Sequence, residues 1–311
     1  MWHYYLLLLL ASILFSSQFA FTKCYQKVKG SSFFYSLVFG LITALASIFI
    51  FLAINSFRFE ISWFSLALAA LYAVNGIVLN AFSTKALSCA DLSLFSLFML
   101  LGGMVIPFFY GVCVGEEVGF LKIIAVIAVT ASLFVSLERD KNKKITPFAL
   151  LCMIVVFVNN GLGGVITAYH QSGVEGAVSA PAFLVLQNLA RFTFTAILIV
   201  ALMIRNGIKT GYADGISPEK GVCGAQSAIG AKKTGLIAVA VSVGYAVVNG
   251  VGNLFTTYSA ANVPASLLYP VITGLGVVFS ALFGLLFGEK ITARKIIASA
   301  LVIVGTVLMV F

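Results

Sequence analysis

Polar side chains at helical spacing mark the part of this chain that is able to bind a ligand. One long apolar stretch carries four of them, spaced by four, four and three residues: Tyr245, Asn249, Asn253 and Thr256. On an α-helix these intervals place all four on one face. Tyrosine and asparagine exchange hydrogen bonds with sugars, amides and carboxylates, which favours a site for a polar metabolite. The alternative is that they bond neighbouring helices, at about 0.6 to 2 kcal/mol per bond.

A single arginine in another apolar stretch is the most informative charged residue. Arg191 lies near the centre of the segment 180–204, and Gln187 precedes it by one helical turn on the same face. Arginine at the centre of a membrane helix costs roughly 2.5 to 3.5 kcal/mol on insertion scales, so its side chain should face protein or water. Two interpretations stay open: a structural arginine that contacts carbonyls or an acid, and a cavity arginine that binds anionic or polar cargo.

Two further segments carry polar residues along one face. The four polar residues on one face of segment 234–257 form a polar stripe. The segment 61–83 carries a similar stripe with Tyr72, Asn75 and Asn80, and the segment 146–169 contains Asn160. His170, at the end of that segment, is expected at the membrane interface rather than as a proton carrier. The predicted substrate-binding set is therefore Arg191, Gln187, Asn249, Asn253, Tyr245, Asn160, Tyr72 and Asn75.

Composition excludes several other functions. The 311 residues are 61% hydrophobic and 9% charged, whereas soluble domains carry about 25% charge, so a lipid bilayer must be the solvent. The net charge of +9 comes from basic residues in short loops, and no nucleic-acid partner is predicted. The two histidines and five cysteines form no H-E-x-x-H or C-x-x-C motif. Neither a metal site, a cofactor nor an enzyme is predicted.

Ten apolar segments approach or exceed the roughly 20 residues that span a bilayer. They cover residues 4–22, 31–54, 61–83, 87–112, 119–137, 146–169, 180–204, 234–257, 262–287 and 293–311. We predict a first five-helix repeat over 1–137, a charged connector over 138–145 and a second five-helix repeat over 146–311, which includes a long polar loop over 206–233.

An offset of 173 positions aligns the two halves without a gap. It matches the Tyr-Ala-Val sequence at 72–74 with that at 245–247, and Asn80 with Asn253. Because five is an odd number of spans, the second copy must enter the membrane in the opposite orientation to the first. The predicted fold class is an all-α membrane protein with ten transmembrane helices arranged as two inverted five-helix repeats.

Three features carry a resemblance to a known family: the G-x-x-x-G-E motifs at 111–116 and 284–289, Pro270 in the ninth segment, and Arg191 in the seventh. With them, nearly the whole chain resembles the drug/metabolite transporter superfamily in its ten-helix EamA-like form. The resemblance implies this fold and transport. Small multidrug exporters of the superfamily carry a glutamate in the first helix, but the first and sixth segments here contain no acid. Cation/proton antiport of that kind is therefore disfavoured.

The glutamates of the two motifs have a structural interpretation. Glu116 and Glu289 each precede a segment, where a carboxylate is able to cap the following helix and complement its dipole. Pro107, Pro264 and Pro270 remove backbone donors within or beside spans, which predicts kinks or breaks.

These observations predict a secondary transporter that moves a small polar metabolite, such as an amino acid, a sugar or a related anion, by alternating access. A lipid-carrier flippase and a membrane assembly subunit that does not transport stay open as alternatives. A transporter requires a watery cavity lined by Arg191 and the polar stripe, whereas an assembly subunit would bury them in a packed core. The expected setting is the plasma or inner membrane, as an integral multi-pass protein, with homo-oligomerisation left open.

Charge also predicts orientation. The connections after odd-numbered segments hold about sixteen Lys and Arg residues, and the other connections about two. The positive-inside rule then places the odd connections in the cytoplasm and both termini outside. The family resemblance implies the opposite, with both termini in the cytoplasm.

Overall fold

The computed structural model describes residues 2–30, 32–89, 92–136, 146–205, 231–286 and 293–310, and these residues form ten α-helices. The helices are α1 Trp2–Lys29, α2 Phe33–Ile54, α3 Trp63–Cys89, α4 Leu92–Cys113, α5 Phe120–Ser136, α6 Pro147–Gln171, α7 Ala180–Arg205, α8 Ala231–Ala260, α9 Ala265–Leu286 and α10 Ala293–Val310. The predicted connector 138–145, the loop residues 206–230 and Glu289 lie outside the described residues.

Apolar length makes these helices suited to a bilayer. Within the described residues, six of them, α1, α2, α3, α6, α7 and α8, are long and apolar enough to cross a membrane. The other four contain shorter apolar cores, such as Phe120–Val135 in α5. Large apolar side chains cover the outside of the bundle, with Trp63 87% and Phe49 62% exposed. Such a surface is stable in lipid and not in water.

The helices pack in a regular set of pairs. Helix α1 packs against α8 and α9, and α6 packs against α3 and α4. Helix α2 packs against α7 and α8, while α7 also packs against α3. Helix α4 packs against α9, and α5 packs against α10. Helices α2, α3, α7 and α8 therefore surround the middle of the bundle.

Glycine allows the closest of these contacts, between α4 and α6. A Cβ atom at Gly161 would lie 2.5 Å from the carbonyl oxygen of Gly102, and one at Gly102 would overlap the backbone of Phe157. Small residues let helix backbones approach in lipid, where dispersion and weak hydrogen bonds drive association. The two helices are thus held together by backbone proximity.

The carboxylate of Glu116 departs from its predicted role. Its Oε1 accepts a hydrogen bond from the Ala265 N–H at 2.8 Å, and its Oε2 accepts one from the Ser266 N–H at 2.9 Å. These donors are the first two residues of α9, whose N-terminal amides have no partner within the helix. Glu116 therefore caps α9 and not the following helix α5, because the end of α4 lies beside the start of α9.

Candidate functional site

The packing of α7 directs Gln187 and Arg191 towards the interior of the bundle. Phe183 and Leu186 pack against residues of α3 and α6, whereas Leu184 packs against residues of α2 and α8. At 100° per residue, Gln187 and Arg191 point between these two contacts. The lipid-facing side of α7 lies opposite, where Leu189 and Val200 are 37% and 54% exposed.

The guanidinium of Arg191 lies close to a glycine of the neighbouring helix α2. A Cβ atom on Gly40 of α2 would lie 3.8 Å from Nη2 of Arg191. Tyr72 in α3 and Tyr245 in α8 both lie near enough to the guanidinium for its positive charge to act on their phenol groups. Four helices thus place a cation, two phenols and a glycine in one region between them.

The depth of Arg191 separates it from every acidic residue of the chain that the structure describes. At 1.5 Å per residue, Arg191 lies about 16 Å along the axis from the first residue of α7 and about 21 Å from the last. The ten described helices contain neither Asp nor Glu, and the described carboxylates lie in connections, at Glu60, Glu116, Glu117 and Glu175. None of these four carboxylates is therefore at the right depth to neutralise Arg191.

Gln187 adds an unused hydrogen-bond donor on the same face. Its side chain is 4% exposed, and its Nε2 has no hydrogen-bond partner among the described residues. Asn75 of α3 has a similar unpaired atom, since its Nδ2 donates to the Asn159 carbonyl at 2.8 Å while its Oδ1 has no described partner. Buried polar atoms without partners cost about 1 to 3 kcal/mol each, and a bound ligand relieves that cost.

The polar stripe of α8 also faces the interior. Gly244 and Gly252 pack against rings of α1, and the Tyr245 ring lies 4.9 Å from the ring of Phe39 in α2. Val243 and Val247, on the other side of α8, are exposed. The side chain of Tyr245 consequently reaches the region between α2 and α7 that contains Arg191.

The two asparagines of the stripe bond each other and α1 rather than Arg191. The Nδ2 of Asn249 donates to the Oε1 of Gln18. The Nδ2 of Asn253 donates to the Asn249 carbonyl at 2.8 Å and to its Oδ1 at 3.0 Å. The predicted substrate-binding set does not include Gln18. Its position in the middle of an apolar helix was the available signal.

Asn160 and His170 have packing roles in the structure. The Nδ2 of Asn160 donates to the Met99 carbonyl of α4 at 2.7 Å, which joins α6 to α4. His170 is 1% exposed, with Nε2 at 2.8 Å from the Ser65 hydroxyl of α3. Its ring stacks on Phe183 of α7 with centroids 3.5 Å apart. His170 therefore joins three helices. It does not contact the surface, whereas a residue at the membrane interface would.

A pocket lies at one end of the bundle, and its lining contains neither Arg191 nor the polar residues of α8. Its volume is about 280 Å³, and its lining includes Tyr110, Glu116, Asn262 and Tyr269. The hydroxyl of Tyr269 donates to the Gly164 carbonyl of α6 at 2.6 Å, and it also lies within Coulombic range of Tyr72. The Tyr269 side chain thus joins the pocket lining of α9 to the backbone of α6.

The fold and this interior define an all-helical membrane protein. No protein-family model matches the chain, and no curated protein matches it in sequence. The crystal structure of a protein with 18% sequence identity superposes with a TM-score of 0.67, over 97% of this chain and 94% of that chain. At this level of identity, the likeness shows a shared fold and carries no information on cargo.

Proposed function

We propose that this protein is a secondary transporter of the ten-helix drug/metabolite transporter type that moves a small polar metabolite across the cell membrane by alternating access. Amino acids, sugars and related anions form the substrate class. The observation that carries the proposal is the position of Arg191. Its guanidinium faces the interior of the bundle at mid-depth, close to Gly40 of α2, and the described helices provide no carboxylate to pair with it.

The helix contacts support an inverted repeat. Each helix of the first half corresponds to the helix five places later in the second half, so α1 corresponds to α6 and α3 to α8. Under this correspondence the α1–α8 contact matches the α6–α3 contact, and the α1–α9 contact matches the α6–α4 contact. The contact of α2 with α8 becomes that of α7 with α3, and the pairs α2–α7, α4–α9 and α5–α10 are retained. These pairs are expected of two five-helix halves related by a two-fold axis. The odd number of spans in each half is what would place that axis in the membrane plane, with a site between the halves.

The unpaired atoms favour transport over a role as an assembly subunit. A packed structural core satisfies its polar groups, because each unpaired one costs free energy. Here Gln187 Nε2 and Asn75 Oδ1 have no partner among the described residues, and Arg191 is only partly buried. A ligand that carries both acceptors and donors is able to satisfy all three groups.

Replacement of Arg191 tests the proposal in proteoliposomes loaded with purified protein. Uptake of labelled lactate, L-glutamate, gluconate and glucose, each into liposomes that contain the same unlabelled compound, is measured for the wild type, Arg191→Ala and Arg191→Lys. We expect Arg191→Ala to reduce uptake of the cargo by about 30-fold or more, since loss of one partner of a buried charge pair costs about 2 to 5 kcal/mol. Arg191→Lys retains the charge but loses the planar fork, so its uptake should also fall strongly.

Arg205→Ala is the matched control, because Arg205 is the exposed last residue of the same helix. Its uptake should equal that of the wild type. Thermal unfolding of each variant separates a folding defect from a transport defect. Normal uptake by Arg191→Ala would refute the site assignment, and the lack of uptake of any of the four compounds by the wild type would count against transport of this substrate class.

A further inference from the structure

We infer that the protein is an obligate exchanger of small organic monocarboxylates. After it releases one anion, its binding site returns to the first side of the membrane only when a second anion occupies it. This inference rests on the proposed transport function and specifies its cargo and coupling. It depends on the charge of the interior site in its empty state and on the lack of any group within the described helices to neutralise that charge.

The interior site is rich in hydrogen-bond donors. Arg191 provides a guanidinium, Gln187 an unpaired amide N–H, and Tyr72 and Tyr245 provide phenol groups within Coulombic range of the cation. The amide oxygens of Gln18 and Asn249 already accept hydrogen bonds, from Asn249 and Asn253 respectively. The unpaired acceptor Asn75 Oδ1 suits a hydroxyl group on the same cargo. A guanidinium binds a carboxylate with two parallel hydrogen bonds, so a carboxylate fits this donor set better than a neutral sugar.

A single charge in the site selects a singly charged cargo. Arg191 is the one basic residue in the middle third of any described helix, and these helices contain no acid. A bound monoanion therefore makes the site neutral, whereas a dianion leaves one negative charge. A cation or a neutral solute leaves the positive charge of Arg191 uncompensated.

The same charge balance separates the loaded from the empty protein during reorientation. When the site closes around its cargo, water is excluded and the local dielectric falls, which penalises an isolated charge much more than a paired one. The loaded site is neutral when it closes, and the empty site carries one positive charge. Reorientation of the empty site is consequently the slow step. An anion is therefore carried in one direction only when another anion is carried in the opposite direction.

Counterflow in proteoliposomes tests the inference with the wild-type protein. Uptake of labelled lactate, pyruvate and gluconate is measured into liposomes that contain the same unlabelled anion and into liposomes that contain only chloride buffer. We expect at least one of the three anions to enter preloaded liposomes roughly tenfold faster than empty ones. Exchange should be independent of an imposed potassium-diffusion potential, because no net charge moves, whereas the residual net uptake should respond to it.

Glucose serves as a neutral control for gluconate, which has a similar carbon skeleton and hydroxyl pattern. Equal rates into preloaded and empty liposomes would overturn obligate exchange but would support transport. Uptake of glucose without uptake of any of the anions would overturn the monocarboxylate assignment and leave transport intact. Failure of all four compounds to move under either condition would count against both the proposed function and this inference.

Arg191→Lys provides a second test that does not depend on full activity. The lysine keeps one positive charge at the same depth, so the ratio of exchange to net uptake should stay near tenfold even though both rates fall. A ratio near one in this variant, with measurable flux of the same anion, would contradict the role that we assign to the charge.

Discussion

At the scale of single residues, the position of Arg191 depends on the residues around it more than on any one bond. Gly40 leaves room for the guanidinium, and Tyr72 and Tyr245 place hydroxyl dipoles near it. Solvation by dipoles costs less than a fully buried ion pair, because the opposite charge does not need to be removed from water. A cation held in this way retains its capacity to bind an anion.

Substitutions of Gly40 test how closely the guanidinium fills this space. In Gly40→Ala the new Cβ would lie 3.8 Å from Nη2 of Arg191, an ordinary contact distance, so uptake should be retained and thermal stability should not fall. In Gly40→Leu the longer side chain enters the space of the guanidinium and should reduce uptake at least tenfold. Uptake and thermal unfolding are measured together, and wild-type uptake by Gly40→Leu would show that the space is not part of the site.

Substitutions of Gln187 test whether its unpaired amide is kept for cargo. Gln187→Leu removes a buried polar group that lacks a described partner, so the empty protein should become more stable by about 1 to 3 kcal/mol while uptake falls. Gln187→Glu should also abolish anion uptake, because the carboxylate would pair with Arg191 one helical turn away. Thermal unfolding without ligand and anion uptake are the two measurements. A less stable Gln187→Leu protein would indicate that the amide is bonded.

Residue patterns predict which face a side chain occupies but not which partner it finds there. Periodicity placed Asn160, Asn249 and Arg191 on interior faces, in agreement with the structure. The sequence does not reveal that Asn160 bonds the Met99 carbonyl, because that contact depends on the distance between α4 and α6. The open space beside Gly40 was missed for the same reason, since it requires knowledge of the opposite helix.

At the scale of helices, Glu116 connects the end of one helix to the start of another that is distant in sequence. Replacement by glutamine leaves only one oxygen acceptor for the two N–H groups of Ala265 and Ser266. Loss of a charged cap costs about 0.5 to 2 kcal/mol, so Glu116→Gln should lower the thermal unfolding temperature. Glu117→Gln is the control, because this neighbouring carboxylate is exposed. Equal unfolding temperatures for the two variants would refute the capping role.

The close approach of α4 and α6 leads to a second prediction at this scale. Gly161→Ala would push a methyl group against the Gly102 carbonyl and Ile106 of α4, and we expect a loss of roughly 1 to 3 kcal/mol from overpacking. Gly76→Ala in α3 is the matched control, since no described atom lies within 4 Å of the position that its methyl group would take. This control should unfold at or above the wild-type temperature because alanine favours helix. Similar stabilities for both variants would contradict the close contact.

Helix existence follows from apolar length, but helix partners do not. The ten apolar segments predicted from the sequence correspond to the ten described helices, with ends that differ by up to several residues. The assignment of Glu116 to α5 was wrong because the sequence reveals only the neighbour along the chain. The beginning of α9 lies nearer to this carboxylate in space, and tertiary packing decided the partner.

At the scale of the whole molecule, the arrangement of helix contacts and the 173-residue offset are independent observations. The first depends on distances between helices, and the second on residue identities at fixed spacing. Both favour a duplicated five-helix unit, and duplication of an odd number of spans requires opposite insertion of the two copies. In the proposed transporter, this arrangement would permit alternating access, because the two halves would exchange conformations about a site between them.

The same odd number of spans makes the orientation of the whole protein testable at its C-terminus. About sixteen basic residues lie in the connections after the odd-numbered helices or in the helix ends beside them, against about two at the other connections, and basic loops stay in the cytoplasm during insertion. We therefore expect both termini outside. Full-length fusions after Phe311 should show alkaline phosphatase activity, which requires export, and no fluorescence from green fluorescent protein, which requires the cytoplasm. If the green fluorescent protein fusion is fluorescent and the phosphatase fusion is inactive, the C-terminus lies in the cytoplasm. The orientation is then the one that the family resemblance implies.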